Sequence, residues 1–372
     1  MSLRSLLRGL AVLVVAGHAC LASAADSIVI GQSLPLTGAG FPVANRVIAG
    51  AMALVQRVNA AGGIRGRRLE LVTLDDAGDA RRHAANLRRL VRQRRAVALV
   101  NCLGESSCMA AAEVARELQV PLIGPMSGAR ALRAPGVDAV FTLRPDDARE
   151  AQALASQLRS IGIARALMLA DGAEPARAQS LADALQQAGI QLTRVAVDGS
   201  ADSIGAALRR LETVAPQALV LSLGLDGQDA LGRLEIGTFT GIPGTIATMS
   251  SAGLTHMTRL FRGRLVGYTS VVPDPETPRL PVVRDLMRDA DAFVGPEAVT
   301  FEGLESYLNL RLCAEALQRA GPTADGARLA SGIEALGLLD MGGFRLLFGP
   351  DRHHGSDFLE IGIRARDGRL LR

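Results

Sequence analysis

Between Ile28 and Asp79 the chain reads IVIGQSLPLTGAGFPVANRVIAGAMALVQRVNAAGGIRGRRLELVTLDDAGD. A short β-branched run, Ile28–Ile30, is followed by a helical pattern at about 45–61 and then by a second apolar run, Leu69–Leu74. Two strands separated by that much chain cannot form a tight hairpin, so they must be parallel strands joined by a helical crossover. Gly62-Gly63 ends the helix, where a left-handed C-cap favours a residue without Cβ, and Gly66 suits the turn into the next strand.

The rhythm continues. Apolar runs at Ala96–Val100, Pro121–Ile123 and Val140–Leu143 alternate with helical patterns at 80–95 and 106–118. It then restarts with strands at Ala166–Ala170, 191–197, Ala218–Leu221, 244–248 and 264–271 around helices at 175–188, 202–214 and 226–236. Beyond Val272-Pro273-Asp274-Pro275 come long helices at about 279–292 and 300–320, and the chain closes on strand-like runs Phe344–Phe348 and Phe358–Arg364. This pattern predicts an α/β protein of two doubly wound, Rossmann-like lobes, and about 350 residues is more than one core usually holds.

The first residues read as an export signal. Arg4 and Arg8 precede a short apolar core, Leu10 to Val15, and Ala22-Ser23-Ala24 is a small-residue cleavage signature, so residues 1–25 are expected to be removed. Lipidation at Cys20 is disfavoured, because a lipoprotein signal usually wants a Leu-like residue where Gly17 stands. No later run reaches the roughly 18 apolar residues of a membrane helix. The mature chain is therefore expected to be soluble outside the cytoplasm.

Composition excludes several functions. Lys+Arg 41 against Asp+Glu 37 gives +4, and loss of Arg4 and Arg8 leaves +2, too little to suggest nucleic acid. Aromatics are 3% and Trp is absent, which argues against stacking platforms. Every cation is Arg. The helix RRHAANLRRLVRQRR reads first as a solvated face, with a permease-docking surface as the alternative. Cys102 and Cys108 flank one short loop and suit a local disulfide, while Cys313 falls in a core helical pattern. His353-His354 are adjacent and poorly placed to share a metal. An enzyme would need a nucleophile and base, but GESSC at 104–108 fails the Gly-x-Ser-x-Gly elbow and the first strand lacks a Gly-rich phosphate loop. No catalytic residue, cofactor or metal site is expected.

SLPLTG after the first strand, VNAAGGIRGRRLEL, LVTLDDAGDA, VPLIGPMSGARALR, VFTLRPDDAREAQALASQLRSIGI, GLESYLNLRLCAEALQRAG and GFRLLFGPDRHHGSDFLEIGI occur in that order. Together they resemble the periplasmic type I solute-binding proteins, in the leucine/isoleucine/valine-binding branch that serves ATP-driven importers. The resemblance implies a periplasmic mature chain and three crossovers with a ligand cleft between the lobes. They are placed near Leu143-Arg144-Pro145, Val271-Val272-Pro273 and Phe344 to Leu347, giving lobe 1 as 26–143 plus 273–345 and lobe 2 as 144–272 plus 346–372.

Ligand residues are sought in loops leaving the carboxyl ends of strands. Glu105, Ser106 and Ser107 open the helix at 106–118, where free amides and hydroxyls suit an anionic or carbonyl oxygen. Ser127 and Gly128 follow the next strand in the same way. In lobe 2, Glu174 stands nearest the position of a family aromatic, Leu225 lies in Gly224-Leu225-Asp226, and Ser250 falls where the resemblance expects the acid that pairs with an amino-acid ammonium. A buried ammonium without a carboxylate costs several kcal/mol, so that pattern is not intact, and Glu174 or Asp226 is the alternative acid. Asp75-Asp76 reads as turn and cap chemistry rather than a catalytic pair. The resemblance implies a monomeric receptor that closes on a small polar ligand, an amino acid, amide or small carboxylate, and passes it to an inner-membrane ABC permease. A sensing receptor and a secreted enzyme are the alternatives.

Overall fold

A computed structural model describes residues 27–372 apart from 251–252, 262, 322–324, 368–369 and 372; the expected export segment 1–25 lies outside the described residues. Strands β1 (Ile28–Leu34), β2 (Leu69–Asp75), β3 (Ala98–Val100), β4 (Leu122–Ile123) and β5 (Val140–Phe141) form a parallel sheet in the order β2-β1-β3-β4-β5. Helices α1 (Phe41–Ala60), α2 (Ala80–Arg94) and α3 (Glu105–Leu118) connect them. The order reverses direction after β2, and that switch opens a crevice at the strands' carboxyl ends.

The second sheet repeats the plan. After α4 (Asp147–Ser160), strands β6 (Arg165–Ala170), β7 (Gln191–Ala196), β8 (Ala218–Ser222), β9 (Thr245–Thr248) and β10 (Leu265–Ser270) lie in the order β10-β9-β8-β6-β7. They are joined by α5 (Pro175–Gln187), α6 (Ala201–Arg209), α7 (Leu211–Val214), α8 (Leu225–Gly232) and α9 (Leu254–Leu260). Buried side chains such as Leu167, Leu169, Leu219 and Leu221 on one face, and Met168, Ala218 and Val220 on the other, show a sheet covered on both sides.

The chain then returns to the first lobe through α10 (Pro281–Phe293), α11 (Phe301–Ala320) and α12 (Gly326–Glu334). Helix α11 is buried on nearly every face, and its buried polar residues Glu302, Glu305, Ser306 and Asn309 are each hydrogen-bonded. It crosses α1 closely, and a Cβ on Gly50 would strike the Gly303 carbonyl. Only glycine permits that approach.

The third passage differs from the expectation. Strand β12 (Arg345–Leu347) pairs antiparallel with β11 (Leu338–Asp340), and His353 O accepts from Thr142 N–H at the end of β5. Phe344, Leu346 and Phe348 are buried among first-lobe residues. The chain therefore stays with lobe 1 past Phe344–Leu347 and joins the second sheet only at β13 (Glu360–Arg364), antiparallel to β10, with β14 (Leu370–Leu371) outside it. The apolar alternation of 344–348 marks a hairpin strand, and periodicity alone does not say which sheet a strand joins.

Candidate ligand cleft

The loops that leave β1, β2, β3, β6 and β8 converge on one cavity of about 250 Å³ between the two lobes. Lobe 1 contributes the turns at 35–40, 76–78 and 103–107, and lobe 2 those at 171–177 and 223–228. At the rim the lobes nearly touch: a Cβ on Gly40 would lie 3.2 Å from Leu225 Cδ1.

Several helices begin around the cavity. Asp146, Ser200, Thr300 and Asp325 each cap a helix elsewhere by accepting an amide hydrogen bond, and Asp79 does so beside the 76–78 turn, while the helices that start on Gly253 and Leu280 have no side-chain cap. The helices that open at the cavity begin on Gly40, Gly104, Glu174 and Gly224, and none has a side-chain cap. A side-chain cap is worth about 1 kcal/mol, and its omission at four neighbouring ends leaves first-turn amides and positive dipole ends around one space, of which the Ala176 amide is met by Glu105. That is the chemistry of an oxygen-rich, anionic ligand group.

The lobe 1 rim is stapled. Cys102 and Cys108 form a disulfide around the Leu103–Ser107 turn. Gly104 turns at φ 80°, a left-handed conformation that suits glycine. Beneath it, Asn101 Nδ2 donates to Gln32 Oε1 (2.8 Å) and Ser306 Oγ (3.0 Å), and Asn309 Nδ2 donates to Asn101 Oδ1 (2.9 Å) and to the Gly124 carbonyl (3.0 Å). This buried network ties the ends of β1 and β3 to α11. Ser106 and Ser107 stand at its edge, exposed and half-buried.

The lobe 2 rim is charged. Asp171 Oδ2 accepts from Gly224 N–H (2.8 Å) and Oδ1 from Ala173 N–H (3.1 Å), so it ties together the two loops that line the cavity. Burial raises its pKa despite those amides. Arg177 is buried and paired with Glu174. Burial alone would lower its pKa, but Glu174, Asp147 and Glu150 outweigh it and hold the guanidinium charged. Glu105 reaches this rim from lobe 1. Burial and then Glu174 push its pKa up, while the Ala176 amide and Arg177 pull it back.

Of the residues named from sequence as ligand contacts or alternative acids, the cavity brings together Glu105, Ser106, Ser107, Glu174, Leu225 and Asp226. It does not include Ser127, Gly128 or Ser250. Ser127 Oγ accepts from Ala129 N–H (3.3 Å), and the Gly128 carbonyl accepts from Asp147 N–H (2.9 Å). Ser250 N–H and Oγ donate to Glu150 Oε2 at 3.1 and 2.5 Å, which Thr269 Oγ1 also reaches at 3.0 Å. The carboxylate near Ser250 thus comes from α4 and is already engaged. Asp75 accepts from the Leu36 and Ala77 amides and Asp76 from the Gly78 amide, which is turn chemistry. Arg88 and Arg92 of the arginine-rich helix pair with Glu117.

Sequence reasoning missed Asp171 and Arg177. Arg177 carried a signal: a cation in the first turn of a helix opposes the dipole and calls for an acid partner. Asp171, in Ala170-Asp171-Gly172, looked like any turn residue.

The molecule's similarities agree with this architecture. A stretch of an amino acid binding protein from Pseudomonas aeruginosa is 34% identical over 116 residues, 31% of this chain and 31% of that protein; the chain thus spans about a third of the length of the curated relative it matches. An extracellular ligand-binding receptor from Verminephrobacter eiseniae superposes with a TM-score of 0.79 at 26% identity, covering 93% of this chain and 100% of that one. A possible leucine/isoleucine/valine-binding protein from Rhodopirellula baltica superposes with a TM-score of 0.80 at 22% identity, covering 95% and 98%. The family model for periplasmic binding proteins matches residues 27–361, and the chain belongs to that family.

Proposed function

We propose that the protein is an extracytoplasmic solute receptor that encloses a small polar ligand between its lobes and presents the closed form to an inner-membrane ABC permease. The observation that carries this reading is the interlobe cavity lined by the starts of four helices that have no side-chain cap. Its ligand-contacting residues are Glu105, Ser106, Ser107, Glu174 and Leu225, joined by Arg177 and by Asp171, which holds the loops in place. Ser127, Gly128 and Ser250 support the surrounding turns. A periplasmic mature chain is supported by the export-signal pattern read at 1–25 and by the family's extracytoplasmic character, and the amino-acid-binding name of the Pseudomonas aeruginosa relative supports the ligand class.

The mechanism needs no covalent chemistry. The ligand's oxygen-bearing end takes the amides and hydroxyls of Gly104–Ser107, and closure swings the 171–177 and 223–228 loops over it, excluding water. A micromolar ligand requires about −8 kcal/mol, which a few charge-assisted hydrogen bonds in a dry cleft supply after the cost of closure. A thermal-shift screen of amino acids, amides, dicarboxylates and aromatic acids tests the reading. At 100 times its dissociation constant a true ligand adds about 2.7 kcal/mol of stability and raises the melting temperature. No shift with any of these classes would overturn the assignment.

A further inference from the structure

Two carboxylates from opposite lobes meet at this cavity. Glu105 stands in the first turn of α3 and Glu174 opens α5. A Cβ on Gly104, the residue before Glu105, would lie 3.5 Å from Glu174 Oε1. Each side chain is only half spent. Glu174 Oε2 is taken by Arg177, which leaves Oε1 toward lobe 1. Glu105 faces the Ala176 amide, yet its Oε2 is buried without a hydrogen-bond partner. An acceptor left dry in this way has lost its water without gaining a partner, and asks for a donor. A second orphan of opposite kind lines the same cavity. Arg177 is 5% exposed, and its Nε, a donor, is buried without a partner.

We infer that Glu105 and Glu174 form a two-lobe clamp for the ammonium group of a zwitterionic ligand, and that this cation, by bridging them, is what permits full closure. The inference rests on the cleft being the ligand site, and it answers the question left by Ser250, whose hydroxyl is spent on Glu150. Without a cation the two acids oppose each other across the closing gap, consistent with the upward push that Glu174 exerts on the Glu105 pKa. With one, both unspent oxygens gain a charged donor. The ligand's carboxylate then lies within a bond or two of its ammonium, beside the Ser106 and Ser107 amides that adjoin Glu105. An α-amino acid has that spacing. The specificity-determining acid is thereby shared between the lobes.

Two measurements test the clamp, both on the full mature chain. In the first, the twenty common L-amino acids are titrated calorimetrically into the wild type, each beside its deaminated carboxylic acid, with benzoate and succinate as controls. The clamp predicts at least one amino acid that binds at least 100-fold more tightly than its deaminated acid, and that loses at least tenfold affinity in Glu105→Gln. Equal binding of the deaminated acids, or tighter binding by Glu105→Gln, would overturn it. Silence from every amino acid would also overturn it, while binding of benzoate or succinate would leave the cleft assignment standing without the clamp. The second measurement needs no ligand. Small-angle scattering at pH 8 should give Glu105→Gln a smaller radius of gyration than the wild type, because the repulsion is gone and the glutamine still accepts from Ala176. Equal radii would contradict the gating role.

Discussion

The two rims of the cleft face the same cavity and are built on opposite principles. Lobe 1 offers amides, hydroxyls and the carboxylate of Glu105 on a fixed frame: a disulfide closes the Leu103–Ser107 turn, and Asn101, Gln32, Asn309 and Ser306 lock the strand ends below it. Lobe 2 offers charge on loops held by hydrogen bonds alone, with Asp171 joining the two loops and Glu174 paired to Arg177. Fixed dipoles need no reorganisation to receive a carboxylate-like group, which suits the part common to many ligands. Charge is more discriminating, since a mismatched or missing partner leaves a buried ion uncompensated. The fixed frame of lobe 1 suits general capture, and selection falls to the charged loops of lobe 2 together with Glu105.

The largest expected effect removes what both rims share. Arg144, at the first passage between lobes, makes a bidentate pair with Glu305 of α11, 2.9 and 3.0 Å long and buried on both sides. Glu305→Ala leaves that guanidinium unpaired and should cost about 3–5 kcal/mol in denaturant unfolding. A loss under 1 kcal/mol would mean that the pair is not the common base of the two rims.

Next comes a titration on the lobe 2 side. Asp147 is buried, its Oδ1 has no hydrogen-bond partner, and burial pushes its pKa from 3.8 to about 7. A carboxyl with a raised folded pKa keeps its proton longer in the folded state. Unfolding free energy therefore falls as pH rises from about 4 to about 7 and levels off above, with the raised Glu105 and Asp171 adding in the same direction. Asp147→Asn should flatten that slope and melt above the wild type at pH 8. An unchanged slope would remove Asp147 from the account.

On the lobe 1 side, replacing both Cys102 and Cys108 with serine should cost about 2 kcal/mol, the chain-entropy value for so short a loop. It should also weaken ligand binding by loosening the frame. Stability lost with affinity intact would show that the staple serves the fold only. The smallest effects separate the hydroxyls. Ser107→Ala should weaken binding by about tenfold, or 1.4 kcal/mol. Ser127→Ala, whose Oγ serves the Ala129 amide, should change affinity less than threefold. Equal losses at the two sites would move the ligand toward Ser127.

The fold was legible because its signals are local. The strand–helix alternation, Gly62-Gly63 and the acid-rich turn at Asp75–Asp79 each act within a few residues, and both sheets follow from them. The third passage was not, because the run at 344–348 pairs locally with β11 and carries no mark of its partner. In the cleft, strand-end loops were found by rule, so Glu105, Ser106 and Ser107 were visible. Asp171 acts through Gly224 in another loop, and Glu150 reaches Ser250 across 100 positions of sequence. Such pairings are set by packing, which periodicity does not encode.

The central claim is that the ligand sits between Gly104–Ser107 and Asp171–Arg177. Amide exchange on the mature protein, with and without a saturating ligand from the thermal-shift screen, tests it most directly. The account predicts that peptides covering 103–107 and 171–177 gain protection together, with 223–228 following. Protection confined to 127–128 and 250, or absent from both rims, would contradict it.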